Sequence, residues 1–136
     1  MGGPNFTEKE MQRVLKKGYK NYFFEVRDGI YELKTKKGIC PYLKKDNSCG
    51  IHDIKSLLCL CWPVFPDFDK RKGGYVIMEC PVTKFLSKKD IEKSRKEASR
   101  VSKKLLDVAL DYSTVPKSEA KLLESRLHRF KTRKLR

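Results

Sequence analysis

The chain has 136 residues, 39% apolar and 36% charged, with 32 Lys+Arg against 17 Asp+Glu and a net charge of +15. That length suits one modest core, and the charge favours anionic partners. No run approaches the ~18 apolar residues of a membrane span, and the opening MGGPNFTEKE lacks a charged stretch leading into an apolar one. Neither a membrane helix nor a secretory signal is therefore expected. The expected setting is the cytoplasm, with reduced thiols.

In chain order, FTEKEMQRVLKKG reads as a helix. Thr7 is its N-cap, Glu10 completes a capping box, and Met11, Val14 and Leu15 share a face. Gly18 suits its C-terminal end. YKNYFFEV is ambiguous between helix and strand. FFEVRDGIYELK is a hairpin about Asp28-Gly29, a two-residue turn signal. ICPYL and CGIH are short extended pieces around the turn KKDNS. IKSLLCLCW is one helical turn or two, stopped at Pro63. PVFPDFDKRKGG is a loop, and YVIMEC a strand ended by Pro81.

The C-terminal part is helical in pattern. Ser87 and Asp90 cap one long helix reaching Tyr112. Ile91, Ala98, Val101, Leu105, Val108, Ala109 and Tyr112 form its apolar stripe. That stripe is expected to pack near Met11 and Leu15, leaving Lys93, Lys96, Arg100, Lys103 and Lys104 solvated. STVP breaks the pattern, and Pro116 opens a second helix striped by Leu122, Leu123, Leu127 and Phe130. HRFKTRKLR is expected to fray. The fold class expected is α+β: a small single domain, with short strands around a cysteine cluster and packed helices at both ends. Residues 1–86 form the cysteine region, and 87–136 a basic helical region packed on the same domain.

Four of the five cysteines, Cys40, Cys49, Cys59 and Cys61, stand in GICPYLKKDNSCGIHDIKSLLCLCWP; Cys80 follows. No two are spaced as CxxC, and the odd count argues against a complete disulfide framework. Burial as small apolar residues suits Cys59 and Cys61 within LLCLCW. It suits Cys49 badly, since Asp46, Asn47, Ser48 and Gly50 are turn residues. Cys40 and Cys80 each precede a proline, at turns or strand ends. Thiols in such places can converge on a metal, and unrelated reduced thiols remain the alternative. A catalytic cysteine needs a nearby base, for which only His52 and His128 exist.

The order of these residues resembles a known family. Gly38, Cys40, Pro41 and Leu43, a polar turn, Cys49, Ile51 and His52, then Lys55, Cys59 and Pro63 are similar to the YkgJ-like cysteine-cluster family, the zinc- or iron-chelating CxxCxxCC domain. FTEKEMQRVL resembles its first helix, and GGYVIMECP its later cysteine. The resemblance covers residues 5 to about 100. It implies that Cys40, Cys49, Cys59 and Cys80 hold zinc, iron or an iron–sulfur cluster. Four thiolates on one such dication leave a charge of about −2, which basic neighbours such as Lys44, Lys45 and Lys55 would offset. Some relatives are associated with flagellin lysine methylation, which implies a redox or methyltransferase-like enzyme as an alternative. No Gly-rich cofactor loop on a strand–helix turn accompanies it.

The chain departs from the family in several places. Only MGGPN stands where CxxCxxCC is usual. Lys55-Ser56 replaces Arg-Pro, Leu60 replaces Arg, and His52 replaces Tyr. Cys61 is an extra thiol, expected to be packed rather than ligating. A third class of function rests on charge. Residues 81–136 hold 17 Lys+Arg and 7 Asp+Glu, a net of +10, so the basic C-terminal region is a candidate for non-specific nucleic-acid binding.

Overall fold

The computed structural model describes residues 4–68, 74–78, 81–110 and 132–135. The fold class is α+β, with helices and two small antiparallel sheets. The chain divides into two compact units, Met1–Cys59 with Lys104–Leu110, and Leu60–Lys103 with Asp111–Arg136.

The first unit opens with strand β1 (Asn5–Thr7) and helix α1 (Glu8–Lys16). The expected capping box is present: Glu10 N–H donates to Thr7 Oγ1 at 3.3 Å, and Thr7 N–H to Glu10 Oε2 at 2.9 Å. Gly18, at φ +87°, ends the helix, its N–H on the Leu15 carbonyl. Strands β2 (Phe23–Arg27) and β3 (Ile30–Leu33) form the expected hairpin. Asp28 and Gly29 both have positive φ, 54° and 73°. That pair of left-handed residues twists a two-residue turn to match its strands. The sheet order is β1-β3-β2. Strand β1 was not legible from the residues, because Thr7 doubles as strand end and helix cap.

Register puts Phe6 opposite Tyr31 and Phe23 opposite Leu33. All four share one face, and Phe6 and Phe23 meet edge-to-face at 4.9 Å. Met11 and Val14 of α1 cover that face, joined by Tyr42, Ile51 and Ile54. Cys40 and Cys49 pack half-buried against this core.

Helix α2 (Leu57–Cys61) follows a single 3-10 turn at His52–Ile54. In the second unit, Val64–Pro66 is strand β4, not the expected loop, and it pairs with β5 (Tyr75–Met78). Pro66 sits at the strand's end, opposite Tyr75, where its missing N–H is tolerated. Thr132–Leu135, expected to fray, forms β6 on the free edge of β5. That pairing is non-local and has no signature in the residues themselves.

The helix expected over 87–112 is two helices, α3 (Lys88–Ala98) and α4 (Lys103–Leu110). Ser87 and Asp90 cap α3 as expected, with Asp90 N–H on Ser87 Oγ at 3.1 Å and Ser87 N–H on Asp90 Oδ2 at 3.0 Å. The chain then tightens: Ser99 Oγ donates to the Lys96 carbonyl at 2.6 Å, and Val101 N–H to the Ala98 carbonyl. Local bonds of that kind compete with a continuing helix. Leu105, Leu106 and Val108 of α4 are buried, and Lys104–Leu110 falls in the first unit together with α1. Lys93, Lys96, Arg100, Lys103 and Lys104 are exposed. The second expected helix, from Pro116, lies outside the described residues.

Candidate metal centre

The loop that carries Cys40 and Cys49 is a series of tight turns. Lys37 and Gly38 both have positive φ, closing a bridge between Lys36 and Ile39. Cys40 follows, and its carbonyl accepts the N–H of Leu43 at 3.1 Å. Asn47, at φ 65°, makes the next turn. Asp46 Oδ1 accepts from both the N–H and the hydroxyl of Ser48, at 3.0 and 2.6 Å. Those bonds hold the exposed Asp46 carboxyl below its ordinary value. The loop then returns, pairing Leu43 with Cys49.

Two tyrosines fasten this loop to the connection after α1. The Tyr42 hydroxyl donates to the Lys20 carbonyl at 2.7 Å, and the Tyr19 hydroxyl to the Gly50 carbonyl at 2.9 Å. The Tyr42 ring packs edge-on against Tyr19 and Tyr22. Burial raises the Tyr42 hydroxyl above its ordinary value, so it stays a donor. Gly50 N–H meets the Tyr42 carbonyl at 2.8 Å, and a Cβ at residue 50 would lie 2.6 Å from that oxygen. Only glycine fits there unmoved. Sequence reading singled out Cys40 and Cys49 and took Gly50 only as a turn residue, giving neither Tyr19 nor Tyr42 a part in fastening the loop. The clue available was tyrosine beside turn residues, which is weak by itself.

Cys59 enters from α2. Ser56, fully buried, caps it: Cys59 N–H donates to Ser56 Oγ at 3.3 Å. The Leu57 N–H is taken by Glu10 Oε1 at 2.8 Å. Burial pushes the Cys59 thiol up, and the charges of Cys40 and Cys49 push it further; the Ser56 hydroxyl and the Lys55 ammonium pull it down. Cys40 and Cys49 thus lie within electrostatic reach of Cys59, all three in the first unit. A thiol held up in this way is a weaker nucleophile at neutral pH.

This is a neighbourhood of thiols and not a formed tetrahedron. Among the described residues no three His, Cys, Asp or Glu side chains are set to hold a metal ion. Cys80, the fourth residue expected, lies outside the described residues. Cys61 is fully buried, as expected of a packed thiol. Comparison of the chain with protein-family models, with curated proteins and with solved structures returns no match. No described helix is long and apolar enough to cross a membrane.

Proposed function

We propose that this is a metal-binding protein of the cysteine-cluster kind, holding zinc, iron or an iron–sulfur cluster through Cys40, Cys49 and Cys59. One observation carries the reading: Cys40 and Cys49, on one tight loop closed by the Leu43–Cys49 bridge, pack half-buried against the same core, in the unit that also holds Cys59. Mutual repulsion among ionised thiols is the penalty that a bound cation removes. The tyrosine-pinned loop presents two of these thiols ahead of any metal, which limits the ordering that binding would require. Cys80 completes the set on the strength of the sequence pattern alone, as does the kinship with the YkgJ-like family. A reducing cytoplasm is the compartment that keeps such thiols available.

The test is elemental analysis, with an absorption spectrum, on protein purified without oxygen. Stoichiometric zinc without colour selects a structural site, and iron with sulfide and broad visible absorption selects a cluster. Cys40→Ser, Cys49→Ser, Cys59→Ser and Cys80→Ser should each lower metal content, whereas Cys61→Ser should keep it in whatever protein folds. Metal-free wild-type protein that takes up neither zinc nor iron would end the proposal.

A further inference from the structure

The cysteine loop and the turn before it carry a surface that the thiol reading leaves unused. Lys36 and Ile39 exchange backbone hydrogen bonds at 3.3 and 3.0 Å, and Lys37 and Gly38 between them have φ of 53° and 77°. Residues paired in this way stand on one side of their ribbon, so Ile39 lies beside Lys36 at a hairpin tip. Ile39 is 56% exposed. One tight turn further on, the Leu43 N–H meets the Cys40 carbonyl, and Leu43 is 43% exposed. The core of this unit takes Cys40 and Tyr42 and leaves Ile39 and Leu43 outside. Two open aliphatic side chains thus stand on adjacent turns.

Lysines bracket both. Residues 34–50 hold five lysines, Lys34, Lys36, Lys37, Lys44 and Lys45, against one acid, Asp46. All five are exposed, as is Lys20, whose carbonyl the Tyr42 hydroxyl ties to the loop. None of these six lysines forms an ion pair among the described residues. The charge lies on the same turns as the aliphatic side chains, all within the first unit. A second copy of the chain would bring a like charge of +15 to it. A nucleic acid would use the charge but has no place for Ile39 and Leu43. Residues 34–50 also offer a base neither arginine nor tryptophan, and their one aromatic ring, Tyr42, is buried. An anionic bilayer uses both features. Its headgroups attract the lysines, whose stems lie along the apolar boundary, and that boundary takes the aliphatic ends. Binding of this kind needs no spanning helix. We infer that these turns dock on an anionic lipid surface, with Ile39 and Leu43 entering the boundary between headgroups and acyl chains and the lysines resting on the headgroups.

The test is co-sedimentation of the full chain with vesicles of phosphatidylcholine alone, and of phosphatidylcholine with about one-third phosphatidylserine. The mixed vesicles should take up the chain and the neutral ones far less, and uptake should weaken as salt is raised. Lys36→Gln with Lys44→Gln should lose roughly 25-fold in affinity, about fivefold for each lysine at an anionic surface. Ile39→Ser with Leu43→Ser should lose roughly 10- to 100-fold, the worth of burying two half-open aliphatic side chains. Both pairs change exposed side chains, so melting temperature and metal content should stay those of the wild type, and this proposal and the metal reading fail separately. The preference between vesicles is read on the unmodified chain, so it stands whatever the variants do. Equal uptake by neutral vesicles, or an Ile39→Ser, Leu43→Ser variant that folds and binds as tightly, would overturn the proposal. So would release from the vesicles by inorganic phosphate at constant ionic strength, which would make the lysines a site for free phosphate. Oligo(U) binding that the lysine substitutions weaken, with vesicle binding that they leave unchanged, would assign the lysines to nucleic acid instead.

Discussion

Glu10 Oε1 accepts the backbone N–H of Leu57 at 2.8 Å while Oε2 of the same carboxylate closes the Thr7 cap. One side chain thus secures the first turns of two helices, 47 residues apart. Losing an N-cap interaction costs about 1 kcal/mol, and a hydrogen bond to a charged group about 1.5–3 kcal/mol. Glu10→Ala should therefore destabilise the chain by about 2–4 kcal/mol in urea unfolding. Glu10→Gln, which keeps one acceptor oxygen, should lose roughly half as much. If both variants unfold like the wild type, the Glu10–Leu57 link is not structural.

Gly50→Ala tests the return of the cysteine loop. Its new methyl would meet a backbone oxygen, Tyr42 O, at 2.6 Å. Backbone cannot swing aside as a side chain does, so overpacking of about 1–3 kcal/mol is expected. The displaced loop should also bind zinc more weakly, by chelator competition. A Gly50→Ala variant with wild-type melting and zinc affinity would show that the approach is relaxed in solution.

What the sequence made legible here is local. Thr7 with Glu10, Ser87 with Asp90, and Asp28-Gly29 each declare a cap or turn within four residues, and all are found. The break between α3 and α4 was hidden because Ala98, Val101, Leu105 and Val108 keep helical phase across it, and each is buried. Strand β4 was hidden between Pro63 and Pro66, which read as loop punctuation. Strand β6 depends on a partner more than fifty residues away. At the candidate site, the order of the cysteines suggested that they converge. The residues that fasten them, Tyr42, Gly50 and Ser56, act through contacts that only the folded chain reveals.

The cap of α3 carries a pH signature. The Ser87 hydroxyl and N–H hold the exposed Asp90 carboxyl below its ordinary 3.8. Stability from a depressed carboxyl is present above that value and disappears as pH falls through the folded one. Ser87→Ala should thus lower helix content and melting temperature at neutral pH, with the gap to wild type closing under strongly acidic conditions. The measurement is far-UV circular dichroism across pH. A gap that is the same at acid and neutral pH would mean that the Ser87–Asp90 bonds contribute nothing through ionisation.

Cys59 gives the opposite sign. Burial first, then Cys40 and Cys49, raise its thiol above the ordinary 9.0. The folded chain therefore holds this proton more tightly than the unfolded chain. The resulting stability is complete below pH 9.0 and is lost as pH rises through the folded value. Metal-free wild type should weaken on alkaline titration, and Cys59→Ala should weaken less steeply. Metal binding runs the other way, because each ligating thiol must give up its proton. Apparent zinc affinity should rise between about pH 7 and 8, by about tenfold for each proton released. Ser56→Ala removes the hydroxyl that favours the Cys59 thiolate and should lower zinc affinity at every pH in that range. Chelator competition at both pH values, on wild type and Ser56→Ala, measures the effect. Zinc affinity that ignores pH, in a chain whose Cys59 still titrates high, would show that Cys59 is not a ligand and would leave Cys40 and Cys49 too few to hold the ion alone.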